Sequence, residues 1–86
     1  MIDMTLYSKR RCHLCEDAKE LIKKIQKEYP IFLKEIDITD NPKLLRRYRF
    51  IIPVIFINGK LEFRARVSER QLRRKLKRAK GNKIKF

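Results

Sequence analysis

The sequence of 86 residues contains no tryptophan, two glycines, three prolines and two cysteines. So few glycines exclude a glycine-rich loop of the kind that cradles nucleotide phosphates. Two cysteines can form only one disulfide bond, which excludes a disulfide-rich secreted scaffold. No apolar run is long enough to cross a bilayer, and the first residues, which include Asp3, lack the pattern of a signal peptide. We therefore expect a soluble cytoplasmic protein without a membrane partner.

Acidic residues are also scarce, because 10 of them face 24 lysines and arginines, for a net charge of +14. This charge predicts attraction to acidic partners. Half of the basic residues fall in two clusters, one of Arg46, Arg47 and Arg49, and one of Arg70, Arg73, Arg74, Lys75, Lys77, Arg78, Lys80, Lys83 and Lys85. Such clusters can bind phosphates, but the sequence has no recognised nucleic-acid motif and no aromatic platform. We do not expect nucleic acid to be the main partner.

Hydrophobic periodicity predicts the element order βαβαββα. The predicted strands cover residues 2–7, 31–38, 53–57 and 61–65, and the predicted helices run from about residue 12 to residue 29, from 42 to 48, and from 69 to 80. Pro53 opens the third strand because proline cannot donate to the sheet from a central position. Asn58 and Gly59 predict a two-residue hairpin between the last two strands.

The first two strands are joined by a helical crossover and should be parallel, whereas the hairpin strands are antiparallel. The prediction is an α/β fold with a four-stranded mixed sheet flanked by three helices. Ser68, with Gln71 three residues later, predicts the cap of the last helix, and Gly81 its end. We expect a single domain over residues 1–86, in which residues 82–86 form a flexible basic tail unless Ile84 and Phe86 dock.

The segment from Lys9 to Cys15 contains both cysteines and the only histidine, between the first strand and the first helix. A Cys-x-x-Cys pair at such a junction is typical of a redox dithiol. At the helix N-terminus, unpaired backbone N–H groups and the positive end of the dipole favour the Cys12 thiolate. Lys9, Arg10 and Arg11 add positive charge. We predict that Cys12 is the exposed nucleophile and that Cys15, one turn later, resolves the mixed disulfide.

Other interpretations of the two cysteines remain open. They could form half of a zinc site, but Cys12, His13 and Cys15 cannot surround one ion from adjacent positions on a helix, so a second chain would have to contribute. They could also be structural, in a basic module that binds nucleic acid or acidic proteins. His13 either stabilises the thiolate or is an ordinary residue facing solvent.

Three segments of the chain, 6–9, 12–15 and 52–59, resemble glutaredoxin, a short form of the thioredoxin fold. The Cys-His-Leu-Cys motif is similar to that of a group of small bacterial glutaredoxin-like proteins. The resemblance implies a thiol-disulfide oxidoreductase that reduces protein or glutathione mixed disulfides. It also implies a cis Ile52–Pro53 bond beside the dithiol, with the Ile52 backbone free to pair with an extended substrate.

The chain departs from the glutaredoxin pattern at two places. His13 and Leu14 replace the usual Pro-Tyr pair, and residues 64–69 replace the Gly-Gly and acidic steps that hold glutathione before the last helix. The substrate-binding candidates are Lys9, Arg11, His13, Ile52, Pro53 and Ser68. We expect no bound cofactor and no metal, disulfide-containing proteins as substrates, either glutathione or a reductase of the thioredoxin-reductase type as electron donor, and a monomer.

Overall fold

The elements follow one another in the predicted order. The computed structural model describes the backbone of residues 1–84 and the side chains of residues 1–79. The strands are β1 (Ile2–Ser8), β2 (Ile31–Asp37), β3 (Val54–Ile57) and β4 (Lys60–Arg64), and the helices are α1 (His13–Ile25), α2 (Pro42–Tyr48) and α3 (Glu69–Ile84). A single 3-10 turn, Ile38–Asp40, lies between β2 and α2. No helix in the described part of the chain is both long and apolar enough to cross a membrane.

The four strands form one mixed sheet in the order β2-β1-β3-β4. β1 is parallel to β2, and β3 is antiparallel to β4, as predicted. β1 is also antiparallel to β3, a pairing that was not predicted. In this register Tyr7 pairs with Ile36 on one side and with Val54 on the other. The end of β1 and the beginning of β3 therefore lie side by side at the same end of the sheet, although they are far apart in the sequence.

The main core lies between one face of the sheet and the helices α1 and α3. Alternate residues of β1 point into it, as the period of two along a strand requires. The fully buried members are Ile2, Met4, Leu6, Ile22, Ile25, Ile55, Leu72 and Leu76. Because α1 packs against this face, the core fixes the position of the helix that carries the two cysteines.

A smaller cluster lies on the opposite face of the sheet, where α2 packs. Its buried members are Ile38, Tyr48 and Val54. The Tyr7 ring stacks on the Tyr48 ring with centroids 4.9 Å apart, and it meets the Phe56 ring edge to face at 5.6 Å. Aromatic pairs prefer these two arrangements. The cluster holds α2 against the end of the sheet at which β1 ends.

The second predicted strand extends one residue too far. β2 ends at Asp37, and Ile38 begins the 3-10 turn. The cause is local, because the Asp37 carboxylate accepts a hydrogen bond from the backbone N–H of Thr39 at 2.9 Å. Aspartate commonly replaces strand pairing with such a turn.

The hairpin forms as predicted, since Asn58 and Gly59 both have positive φ, at 50° and 83°. A bulge in β4 was not predicted: Ile55 pairs with Phe63 while the next residue, Phe56, pairs with Leu61. The extra residue breaks the alternation, so Phe63 is buried whereas Leu61 is 37% exposed. Leu61 and Phe63 therefore differ in burial, although strict alternation along the strand would place them on the same face.

The predicted end of the last helix at Gly81 is wrong, because α3 continues to Ile84. Glycine permits the left-handed conformation that ends helices but does not impose it. The expected docking of Ile84 and Phe86 concerns side chains outside the described part of the chain. Residues 85–86, the end of the tail, also lie outside it. The flexible tail over residues 82–86 stays a prediction.

Candidate functional site

Cys12 occupies the N-cap position of α1, as the sequence predicts. Its backbone is extended, with φ −101° and ψ 107°, and the helix begins at His13. Cys12 and Cys15 are joined as a disulfide, with their Cα atoms 5.2 Å apart. The Cys12 sulfur also accepts a hydrogen bond from the backbone N–H of Cys15 at 3.2 Å. The sulfur thus takes the place of the side-chain oxygen that usually caps a helix.

The two cysteines differ in their access to solvent. Cys15 is only 3% exposed and packs inside the first turn of α1, whereas Cys12 is partly exposed. The preceding residue, Arg11, has a φ of 59°, which is uncommon for a residue other than glycine. This turn directs the chain from the end of β1 into the helix and leaves Cys12 at the surface.

Arg10 is held on Asp37, at the end of β2. Its Nε lies 3.7 Å from one carboxylate oxygen of Asp37. The other oxygen accepts hydrogen bonds from the hydroxyl and the backbone N–H of Thr39, at 2.6 and 2.9 Å. The Thr39 hydroxyl contributes most to a lowered pKa of Asp37, and the positive charges of Arg10 and Lys9 add to it. An Asp37 carboxylate therefore faces the cationic segment that precedes the dithiol.

Sequence reasoning did not identify Asp37 as part of the site. The available signal was the Asp-x-Thr pattern at residues 37–39, which is typical of a turn closed by an aspartate side chain. The pairing of Ser8 with Asp37 in the parallel sheet then brings this turn beside the segment that follows β1.

A second polar group connects α1 to β2 next to the same segment. The buried Ser8 hydroxyl donates to Glu35 at 3.1 Å, and Lys19 Nζ lies 3.1 Å from the other oxygen of that carboxylate. The hydrogen bond with Glu35 raises the pKa of Lys19. An open groove of about 360 Å³ follows this group and is lined by Ser8, Lys9, Arg10, Glu16, Lys19, Glu35 and Asp37.

The structure places His13 in solvent. Its side chain is 92% exposed, and Nε2 lies 3.7 Å from an oxygen of Asp17 one turn later. Within the described residues, no group of three or more histidine, cysteine or acidic side chains could hold a metal ion. His13 is therefore not gathered with the two cysteines into a set of metal ligands.

The Ile52–Pro53 peptide bond is cis, as the resemblance implies. β3 begins at Val54, one residue later than predicted, so Pro53 immediately precedes the strand and does not open it. The backbone N–H of Ala65 donates to the carbonyl oxygens of Ile51 and Pro53, at 2.7 and 2.9 Å. Ala65 has a φ of 67°, and alanine gives no sequence signal for that conformation. This residue was missed for that reason.

An open groove of about 210 Å³ separates the first turns of α1 from the segment after β4. It is lined by Leu14, Asp17, Ala18, Ala65, Arg66 and Val67. Leu14, between the two cysteines, is largely exposed on one side of the groove, and Ala65, which holds Pro53, is on the other. The groove therefore lies between the residue that separates the two cysteines and the residue that holds Pro53.

Ser68 caps α3, since its hydroxyl oxygen accepts a hydrogen bond from the backbone N–H of Gln71 at 3.1 Å. The neighbouring Glu69, which stands where glutaredoxins carry an acidic step, is bound by Lys24 at 3.1 Å and by Arg73 at 3.0 Å. Both side chains therefore already have partners within the protein.

Comparison with known proteins agrees with this fold. A solved structure of protein Ne2328 from Nitrosomonas europaea is 26% identical over 87% of this chain and 91% of its own, with a TM-score of 0.73. Protein XcR50 from X. campestris is also 26% identical, over 86% of this chain and 95% of its own, with a TM-score of 0.73. Oxidised mitochondrial thioredoxin 3 from Saccharomyces cerevisiae is 16% identical over 88% and 76%, with a TM-score of 0.66, which supports the fold alone.

The family comparison covers most of the chain. Residues 3–77 match the glutaredoxin-like domain (DUF836), and this range contains the dithiol, the cis-proline and the whole sheet apart from Ile2. The chain belongs to the glutaredoxin-like domain family, has the thioredoxin fold, and carries a Cys12–Cys15 pair at disulfide distance.

Proposed function

We propose that this protein is a thiol-disulfide oxidoreductase that reduces protein disulfides or glutathione mixed disulfides. The observation that carries the proposal is the asymmetry of the dithiol. Cys12 is partly exposed at the N-cap of α1 and its sulfur accepts an N–H, whereas Cys15 is buried one turn later. This arrangement suits one attacking and one resolving sulfur.

In the reduced protein, the surroundings of Cys12 favour its thiolate. The N–H of Cys15 and the positive end of the α1 dipole stabilise negative charge on the sulfur. Lys9 and Arg11 are exposed on the segment that leads to Cys12, and we assign them to the thiolate or to an anionic substrate. The burial of Cys15 disfavours its charged form until it is needed.

The reaction proceeds by two thiol-disulfide exchanges. The Cys12 thiolate attacks one sulfur of the substrate disulfide, forms a Cys12–substrate disulfide and releases the other substrate sulfur as a thiolate, which takes up a proton. Cys15 then loses its proton, and its sulfur attacks Cys12, which forms the Cys12–Cys15 disulfide and releases the second substrate thiol. Two electrons pass to the substrate, and two donor thiols restore the dithiol.

The Pro53 segment provides a place for an extended substrate. Ile52 makes no backbone hydrogen bond in the described part of the chain, although its neighbours Ile51 and Pro53 both accept one from Ala65. Its free main-chain groups can pair with a substrate strand, which gives affinity without much side-chain specificity. We further assign Lys9, Arg11, His13, Pro53 and Ser68 to the substrate surface. The protein acts as a cytoplasmic monomer with a single domain.

The proposal is tested by a coupled assay of NADPH consumption. One arm supplies glutathione and glutathione reductase, and the other supplies thioredoxin reductase, each with a disulfide-bonded protein or a glutathione mixed disulfide as substrate. The wild type should turn over with at least one donor, and Cys12→Ser should lose this activity. Wild-type protein that is folded, fully reduced and inactive with both donors would overturn the proposal. The donor that works identifies the source of electrons.

A further inference from the structure

The structure divides the basic residues of α3 into two groups. Arg73 binds both oxygens of Glu28, at 2.7 and 2.8 Å, and also Glu69, while Lys75 lies 3.2 Å from Glu62. Four other basic residues, in the part of α3 whose side chains are described, are exposed, and no carboxylate of the described residues lies within ion-pair distance of them. They are Arg70, Arg74, Lys77 and Arg78.

These four residues follow helical spacing at positions i, i+4, i+7 and i+8. Residues so spaced lie on one side of a helix. At about 1.5 Å per residue, the row extends for about 12 Å along α3. The positive charges of α3 without a carboxylate partner among the described residues thus lie on one solvent-facing side of the helix.

The row adjoins a groove between α3 and the β3–β4 hairpin. Two adjoining cavities of about 310 Å³ each form this groove, and both are lined by Glu62, Lys75 and Arg78. The hairpin contributes Lys60 and Asn58, and α3 contributes Arg74 and Gln71. We call this surface the α3 groove. The acidic residue that lines it in the described part of the chain, Glu62, is paired with Lys75, so no described carboxylate of the groove opposes Lys60, Arg74 and Arg78.

The α3 groove begins at the end of the sheet opposite the dithiol. Asn58, in the hairpin turn, donates its backbone N–H to Asp3 near the start of β1, whereas the cysteines follow the end of that strand. A ligand at the hairpin end therefore leaves the dithiol accessible. The surface is a feature additional to the proposed redox centre.

We propose that the α3 groove binds the phosphodiester backbone of a nucleic-acid strand. Arginine and lysine are the side chains that most often contact phosphates, and amides such as those of Asn58 and Gln71 also donate to them. An acidic protein is a poorer fit, because the centres of protein interfaces are depleted in lysine and rely on apolar anchors. The apolar residues that line the groove, Ile57, Phe63 and Ala79, are buried.

The side chains that line the groove also predict whether binding depends on the nucleotide sequence. Among the described residues no exposed aromatic side chain lines it, so this part of the chain offers the bases no ring on which to stack. Binding should be independent of sequence and should weaken steeply with salt, as contacts to phosphates alone require. DNA and RNA share the phosphodiester, and both are used as probes below.

The test measures binding of fluorescein-labelled single-stranded DNA and RNA by anisotropy from 20 to 200 mM salt. Each phosphate contact contributes about 0.7 to the slope of log affinity against log salt. The double variant Arg74→Gln/Arg78→Gln should therefore lower the magnitude of this slope by about 1.4. Lys43→Gln/Arg46→Gln, on α2, removes the same net charge from exposed positions outside the groove and should leave the slope close to that of the wild type.

Three outcomes would overturn the proposal: wild-type protein without salt-dependent binding, equal changes of slope in the two double variants, or tighter binding of polyglutamate than of the oligonucleotides at equal charge. The first outcome would show that the protein does not bind nucleic acid through phosphate contacts. The second would show that net charge alone, and not the α3 groove, determines the salt dependence. The third would show that the groove prefers acidic proteins. Circular dichroism verifies folding, and the single variant Lys60→Gln provides an independent probe of the groove. Cys12→Ser should bind like the wild type, so this inference stands or fails separately from the redox proposal.

Discussion

The backbone N–H of the buried Cys15 donates a hydrogen bond to the sulfur of the partly exposed Cys12 over 3.2 Å. A single helical turn therefore both stabilises negative charge on the first sulfur and shields the second from solvent. The two thiols of the reduced protein should differ in reactivity for these two reasons.

We predict that Cys12 of the reduced protein reacts with iodoacetamide at least about tenfold faster than Cys15 at neutral pH, because the thiolate is the reactive form and must be accessible. Mass spectrometry of peptides from a time course measures both rates in one sample. Denatured protein, in which the two rates should converge, is the control. Faster alkylation of Cys15 would reverse the assigned roles.

Replacement of Asp37 by asparagine should lower the pKa of the Cys12 thiol. It removes the negative charge that pairs with Arg10, so the positive charge before Cys12 is no longer balanced. The alkylation rate of reduced protein, measured from pH 4 to 9, should have its midpoint at lower pH than in the wild type. Asp3→Asn is the matched control, because it makes the same change of charge at the other end of β1. An equal effect of both variants would contradict a local origin.

The ion pairs that Arg73 and Lys24 make with Glu28 and Glu69, at the start of α3 and around the end of α1, predict a loss of stability in acid. Hydrogen bonding to Arg73 lowers the pKa of Glu28 from its ordinary value of 4.5, and hydrogen bonding to Lys24 and Arg73 lowers that of Glu69. A lowered pKa in the folded state stabilises it above the ordinary pKa, and this contribution is lost as pH falls through the lowered values. Urea unfolding at pH 6, 4 and 3 should show the decline.

The double variant Glu28→Gln/Glu69→Gln should lose less stability between pH 6 and pH 3 than the wild type. The comparison variant is Glu20→Gln, whose glutamate is exposed and makes no ion pair among the described residues. It should retain the wild-type pH dependence. If the double variant also retains it, these two carboxylates do not cause the decline.

A pair of leucine-to-alanine changes tests the packing of α3. Leu72 is fully buried between the helix and the sheet, so Leu72→Ala should cost about 2–5 kcal/mol of unfolding free energy. Leu61, 37% exposed beside the bulge of β4, should cost less than about 1 kcal/mol when changed in the same way. Chemical denaturation measures both, and similar costs would show that α3 does not pack as described.

The local sequence was sufficient to predict the element order, the hairpin turn and the position of Cys12 at a helix N-terminus. Each depends on residues close together in the chain: alternation in β1, Asn58 and Gly59 in the turn, and an apolar stripe along α1. The bulge of β4 and the continuation of α3 past Gly81 were missed. Both depend on neighbouring structure, since the preference of a single residue permits more than one outcome.

The sequence by itself determined that a dithiol lies at the start of a helix, because capping and helical spacing act within a few residues. Only the tertiary structure decided what surrounds it. Asp37 reaches Arg10, and Ala65 holds Pro53, because parallel and antiparallel pairing bring distant strand termini to one end of the sheet. Likewise, the sequence determined the charge of +14, but folding selected which cations are paired with carboxylates and which remain exposed along α3.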